Sequence, residues 1–376
     1  MARILYFSRD YSTHDHRFLS ALGKTGHQVY YLHLETRGHT LEDRPVPAVV
    51  EQVHWAGGDR PARLQDGLRL IMDLKRVLRK IKPDLVHAGP IQTAAFLVAL
   101  AGYKPLVSMS WGYDLLMDAQ KSKSWAWATR YALQHSAAMV GDCQTVRQMA
   151  VSYGMPSERI VTFPWGVDLS HFSPGLEARL ELPPGMRSRL GWGEEVFVLL
   201  STRSWEPIYG VDILAEAFGL AARQHPELRL MMLGNGSLAA RLRQIFMQGQ
   251  VIDQVVFPGQ VKQGDLPKYY RSADLYVSAS HSDGTSISML EALACGCPVL
   301  LSDIPGNLEW IMPGQQGWFF RDGNVQSLAE AMLEAVENRS VLLEMRRSAR
   351  FLAEQRADWE KNFPELLKAY RLAGVN

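Results

Sequence analysis

The chain has only three cysteines in 376 residues, and two of them, Cys295 and Cys297, stand two positions apart. That excludes a disulfide framework and points to a reducing compartment, the cytoplasm. No His or Cys lies at ligand spacing from the pair, so ordinary buried thiols are expected there rather than a metal site. Long hydrophobic runs are missing as well. The best of them, AAFLVALAGY at 94–103, is far short of the ~20 residues of a membrane span and reads as a core helix. Neither sign of charge is in excess: 40 Lys and Arg oppose 39 Asp and Glu, for a net charge of +1. Nucleic-acid binding therefore has no whole-chain electrostatic support. Low-complexity tracts and short tandem repeats are absent, and the opening MARILYFSR reads as a strand rather than a signal peptide.

What is present is an alternation. Short β-rich apolar runs at 3–8, 28–34, 49–55, 84–89, 105–111, 137–142 and 159–165 are separated by amphipathic helical stretches such as 63–81. Strands apolar on both faces and parted by helices imply a parallel sheet covered on both sides, a doubly wound α/β layer. A Pro- and Gly-rich stretch follows, and the pattern then restarts with runs at 196–202, 228–234, 255–259, 275–280, 298–303 and 317–320. Two such domains are expected: 1–174, a linker at 175–194, and 195–356, with 357–373 as one amphipathic helix. In sheets of this kind ligands bind outside the carboxyl ends of the strands.

The stretch HSDGTSISMLEALACGCPVL, 281–300, sits at such a strand end. It places Asp283 in a loop and Glu291 eight positions on, inside a helix that is otherwise apolar. A buried carboxylate has to be paired or hydrogen-bonded. The loop leads through Gly284 and small residues into a helix N-terminus, which offers free N–H groups to an anion.

An acid, seven residues, Glu, and then Ala-Cys-Gly-x-Pro-Val with a Ser-Asp strand end together resemble the retaining GT-B glycosyltransferases of family 4. The resemblance extends to FPWGVDLSHFSP (163–174), STRSWEPIYGVDILAEAF (201–218) and LMMLGNGSL (230–238), and so spans most of the chain. It implies two doubly wound Rossmann-like domains facing each other across a cleft, with the 357–376 helix crossing back from the donor domain to the acceptor-side domain. The implied activity is metal-independent transfer of a sugar, with retention, from a nucleotide-diphosphate sugar to a glycan, lipid-linked or small-molecule acceptor. UDP or GDP is the implied donor nucleotide, and no other cofactor and no metal is implied.

Carried over residue by residue, Asp283 is the donor-sugar contact and Glu291 the ribose contact. Gly284, Thr285, Ser286, Ile287 and Ser288 form the phosphate cradle, Gly234 the second glycine turn. Arg203 would face the diphosphate, where a guanidinium stabilises the charge that develops on the leaving group. Three positions depart from the pattern. Tyr209 precedes Gly210 where a Lys is usual, leaving Lys262 as a substitute cation. The His-Gly-x-Asp of the first domain reads Trp111-Gly112-Tyr113-Asp114, which carries Asp114 into the catalytic set without the His. The first acid is Asp rather than the commoner Glu.

On the acceptor side, Trp111 and Trp165 are candidates for an aromatic wall, and His87 and His16 for the acceptor mouth. The basic helix around 73–82 is a candidate for peripheral contact with the inner membrane face. A nucleotide-sugar epimerase or hydrolase on the same fold, or a binding subunit without turnover, are the alternatives. The missing Lys and His motivate the second.

Overall fold

The computed structural model describes residues 1–36, 42, 44–175 and 184–375, with Leu64, Pro184 and Gly185 described by their backbone alone. It divides into two compact units, one of Met1–Phe163 with Phe363–Asn376 and one of Pro164–Asn362. Of the expected linker, 176–183 lies outside the described residues, and Pro184–Arg189 is helical.

The first unit is built on seven strands: β1 (Arg3–Arg9), β2 (Gln28–Leu34), β3 (Val50–Gln52), β4 (Leu85–Gly89), β5 (Leu106–Met109), β6 (Ala138–Gly141) and β7 (Ile160–Thr162). Their order is β3-β2-β1-β4-β5-β6-β7, and every pairing is parallel. The second unit repeats the scheme with β8 (Phe197–Ser201), β9 (Leu228–Leu233), β10 (Val255–Gly259), β11 (Leu275–Ser278), β12 (Val299–Ser302) and β13 (Gly317–Phe320). Their order is β10-β9-β8-β11-β12-β13, again all parallel. In both sheets the strand order reverses beside the first strand, between β1 and β4 and between β8 and β11. A doubly wound sheet opens its ligand crevice at that switch point.

The alternation in the sequence reads correctly because central strands are buried on both faces. All five residues of β4 and of β8 are buried. Helix Val211–Gln224 turns Leu214, Ala215, Phe218 and Ala221 into the core that also holds Leu199 and Leu230. It starts at Gly210, whose φ is +56°, and a Cβ there would lie 2.1 Å from the Ala279 carbonyl oxygen. Only glycine lets the turn after β8 rest on the backbone leaving β11.

The expected helix over 357–373 is two helices, Trp359–Asn362 and Pro364–Leu372. Pro364 takes a first-turn position, where its missing N–H costs nothing but where a preceding helix must end. The break coincides with the passage from the second unit back to the first. The run 94–103 is helical as expected, although Ile91–Ala95 forms a wide π-turn ahead of Phe96–Ala101. All three cysteines are buried. Among the described residues no helix is long and apolar enough to cross a membrane, and no group of three His, Cys, Asp or Glu is arranged to hold a metal ion.

Candidate functional site

In the second unit the acids of the 281–300 stretch each find a partner from a different element. Asp283 leaves β11 in the loop before helix Ile287–Ala294. Its Oδ2 lies 2.8 Å from Nη2 of Arg203, which follows β8 across the switch point. The other guanidinium arm donates to Ser286 Oγ at 3.0 Å and Ser288 Oγ at 3.1 Å. Beneath it the Tyr209 ring packs with its centroid 4.1 Å from Cζ. Burial opposes the charge on Arg203, but Asp283 outweighs it and the guanidinium pKa lies above its ordinary value. Both side chains are mostly enclosed, at 12% and 19% exposed.

The ion pair does not saturate them. Arg203 Nε is buried without a hydrogen-bond partner, and no donor is aligned on Asp283 Oδ2 despite the short approach. A buried donor left unmatched is costly, and here it sits at a strand end beside a helix N-terminus. An oxyanion matches that arrangement.

Glu291 is 5% exposed. It accepts a hydrogen bond from Tyr270 Oη at 2.8 Å and from Gln263 Nε2 at 3.2 Å. Burial and the neighbouring carboxylate together push the Tyr270 hydroxyl well above its ordinary pKa, so it stays a donor. Tyr276 extends the network by donating to Ser288 Oγ at 2.7 Å. Local sequence reasoning missed Tyr270, Tyr276 and Gln263, because they reach the acids from neighbouring elements and carry no motif of their own.

The remaining candidates of this unit have distinct places. The Thr285 hydroxyl accepts from Trp310 Nε1 at 3.3 Å, which fixes the loop from behind. Gly284 is buried against Gly306, where a Cβ would lie 2.5 Å from the carbonyl oxygens of Asp283 and Gly284. Ile287 is half-buried at the start of its helix. Gly234 turns the chain after β9 with φ +99°, its built Cβ 3.1 Å from the Arg203 carbonyl oxygen. Lys262 is exposed ahead of the short turn Gln263–Asp265, and Arg203 takes its hydrogen bonds without it. Trp165 belongs to this unit and not to the first, and it is only 4% exposed. A ring that deep offers no face to a sugar, which corrects the expectation of an aromatic wall at that position.

In the first unit the structure corrects two further expectations. His87 is wholly buried, not at an acceptor mouth. Its Nδ1 is 2.9 Å from the Tyr370 hydroxyl, its ring meets Tyr6 edge-on at 5.0 Å, and burial pushes its pKa down to about 3. Asp114 is equally buried. Its Oδ1 accepts from Ser110 Oγ at 2.6 Å and from the Trp111 and Leu115 amides at 3.0 Å, and its Oδ2 accepts from the Ile91 amide at 2.9 Å. Burial raises its pKa despite those bonds. Both of its oxygens are engaged in shaping the turn after β5. Trp111 is half-buried with its ring edge-on to His14 at 5.2 Å. His16 bonds Tyr11 Oη through Nδ1 at 2.9 Å, and burial lowers its pKa.

Residues 185–356 match the family model described as glycosyl transferases group 1, and residues 12–171 match the one described as glycosyltransferase family 4. The chain belongs to this glycosyltransferase family. The D-inositol 3-phosphate glycosyltransferase of Geodermatophilus obscurus is 30% identical over 60% of this chain and 50% of that protein. The GDP-mannose-dependent alpha-(1-6)-phosphatidylinositol monomannoside mannosyltransferase of Mycolicibacterium smegmatis is 28% identical over 50% of each. The chain spans about half the length of the curated relatives it matches. Among solved structures, Anabaena HepE in complex with UDP-glucose is similar with a TM-score of 0.80 at 19% identity, over 99% of this chain and 100% of that one. The glycosyltransferase WaaG, involved in lipopolysaccharide biosynthesis, is similar with a TM-score of 0.78 at 16% identity, over 99% and 100%. These likenesses fix the fold as GT-B.

Proposed function

We propose that this family 4 glycosyltransferase moves a sugar from a nucleotide-diphosphate sugar to a hydroxyl acceptor, with retention and without a metal. The observation that carries the reading is the unsatisfied Arg203 guanidinium at the switch point of the second unit, held by Asp283, Ser286 and Ser288. The diphosphate would sit against Arg203 and the 284–288 loop, with the ribose hydroxyls on Glu291. Asp283 would touch the transferred sugar. As the bond from the anomeric carbon to the phosphate oxygen breaks, charge grows on the diphosphate and Arg203 meets it. The acceptor hydroxyl attacks from the same face and gives its proton to the departing phosphate oxygen. No protein base is needed in that step, which accommodates Trp111 in place of a His. UDP or GDP is the proposed nucleotide, and a phosphate-bearing small molecule, a lipid-linked sugar or a glycan the proposed class of acceptor.

The nucleotide half of this reading is tested by thermal stabilisation with UDP, GDP and ADP at equal concentration. One nucleotide should stabilise selectively, and Glu291→Gln should weaken that nucleotide about ten- to hundredfold, the worth of a hydrogen bond to a charged group. An unchanged affinity in Glu291→Gln removes the ribose assignment.

Peripheral contact with anionic lipid is proposed for helix Gly67–Ile81. Leu68 and Met72 stand 79% and 65% exposed there, with Arg69, Arg76, Arg79 and Lys80 also exposed on the helix. Co-sedimentation with phosphatidylglycerol vesicles but not phosphatidylcholine vesicles is expected, and loss of the difference in Arg76→Glu/Arg79→Glu checks that the helix is responsible.

A further inference from the structure

The two sheets have the same order around their first strands, so the end of β1 in the first unit corresponds to the end of β8 in the second. In the second unit that edge carries Arg203 over the Tyr209 ring. In the first unit it carries Arg9, the last residue of β1, with its Cζ 5.4 Å from the Tyr113 ring centroid and Nη2 donating to the Tyr113 hydroxyl. Tyr113 arrives from the turn after β5, two strands away across the switch point. The chemistry is the same in both units: a guanidinium at a strand end, propped on a tyrosine.

The charge balance differs. Arg203 meets a carboxylate at 2.8 Å and two serine hydroxyls. Among the described residues Arg9 has Asp10 as its carboxylate neighbour, at 3.9 Å, outside hydrogen-bond range. Asp10 is committed elsewhere, accepting from the Thr36 amide at 2.7 Å and the Thr36 hydroxyl at 2.6 Å. The tyrosine hydroxyl orients Arg9 without neutralising it, and the guanidinium is 21% exposed. A second donor nearby is also unmatched: Trp111 Nε1 is buried without a partner, against Gly89 at the end of β4. A mostly enclosed arginine with a fixed fork, and among the described residues no carboxylate within hydrogen-bond range, suits a planar or tetrahedral oxyanion.

We propose that Arg9, propped by Tyr113, binds an anionic group of the acceptor, so that the acceptor class carries a phosphate or a carboxylate beside the hydroxyl that is glycosylated. This rests on the transferase reading and narrows it. Arg9 would act on acceptor affinity and selectivity. Tyr113 is a positioning residue, since it acts through Arg9.

The test uses the full chain and ligand-observed NMR titration with matched probes: inositol 3-phosphate against myo-inositol, and glucuronate against glucose. The phosphate pair and the carboxylate pair separate the two sources of the anion. In the wild type one anionic probe should bind about tenfold or more tighter than its neutral mate, and added salt should erode the difference. Arg9→Gln should bring the anion down to the level of the neutral probe. Arg9→Lys should retain part of the preference, and Tyr113→Phe should weaken it while leaving the charge in place. Circular dichroism and melting establish that each variant is folded. UDP stabilisation, a property of the second unit's site, should be the same in all three variants. Equal binding of charged and neutral probes, or no saturable binding of either, overturns the proposal. So does a loss of UDP stabilisation in Arg9→Gln with the anion preference intact, which would place Arg9 on the donor diphosphate instead. Failure of the transferase reading itself shows separately, as absent nucleotide binding in the wild type.

Discussion

Arg203→Ala is expected to lower sugar transfer by about a hundredfold to a thousandfold, the cost of removing one preorganised donor from a developing charge. Three features make this position decisive. Position 209 carries a tyrosine rather than a second cation, and its ring supports the guanidinium from below. Lys262 stands exposed in another turn. Ser286 and Ser288 are oriented by Arg203 itself, so the loop loses its anchor together with the charge. Nucleotide affinity should fall less than turnover, because the charge on the diphosphate grows only as the bond breaks. Steady-state release of nucleotide diphosphate, with the sugar product identified by mass, gives both quantities. Lys262→Ala should be mild by comparison. Transfer by the wild type should persist in a strong chelator, and rescue by manganese after chelation would shift the leaving-group role from Arg203 to a metal. Full turnover in Arg203→Ala would mean that the diphosphate lies elsewhere.

The second large effect concerns pH and stability. Asp15 is completely buried at the start of helix Thr13–Leu22. Its Oδ1 accepts from Tyr6 Oη at 3.0 Å, and its Oδ2 accepts from the Ser12 amide at 2.8 Å and the Ser12 hydroxyl at 2.6 Å. Burial pushes its pKa up to about 7, against these hydrogen bonds. An unfolded Asp titrates near ~3.9. Between those values the folded chain holds a proton that the unfolded chain has released, so stability falls as pH rises from ~4 to about 7 and is level above it. The span corresponds to a few kcal/mol, on the order of 1.4 per pH unit. His87 acts in the opposite sense, since its pKa is pushed down to about 3 and stability rises with pH up to the ordinary histidine value. The wild-type profile is therefore a sum.

Asp15→Asn separates the two, because the amide keeps an acceptor for Ser12 and a group for Tyr6 but never ionises. Urea midpoints should show the variant more stable than the wild type at pH 8 and close to it near pH ~4. A variant weaker by the same amount at both values would mean that Asp15 is ionised in the fold throughout.

The sheets were legible in the sequence because strands buried on both faces must be continuously apolar, and each of the thirteen falls within or overlaps an expected run. Arg203 and Asp283 stood out because each follows a strand at its carboxyl end, and Glu291 because it interrupts an apolar helix, with the family resemblance joining the three. Their partners were not. Tyr270 and Gln263 come to Glu291 from elements 21 and 28 residues upstream. His87 shows the limit best. The family resemblance put this histidine at an acceptor mouth, whereas the group that makes it tolerable inside, the Tyr370 hydroxyl, is 283 residues away. Trp165 was misplaced because an aromatic beside a strand carries no mark of which unit encloses it.

That histidine–tyrosine contact also sets an order in time. The second unit is continuous, Pro164–Asn362, whereas the first needs Phe363–Asn376 to be whole. During synthesis the half of the chain that leaves the ribosome first is therefore the half that is completed last. Until Tyr370 emerges, His87 lacks the hydroxyl it meets in the finished fold, although all seven strands of its sheet have already been made.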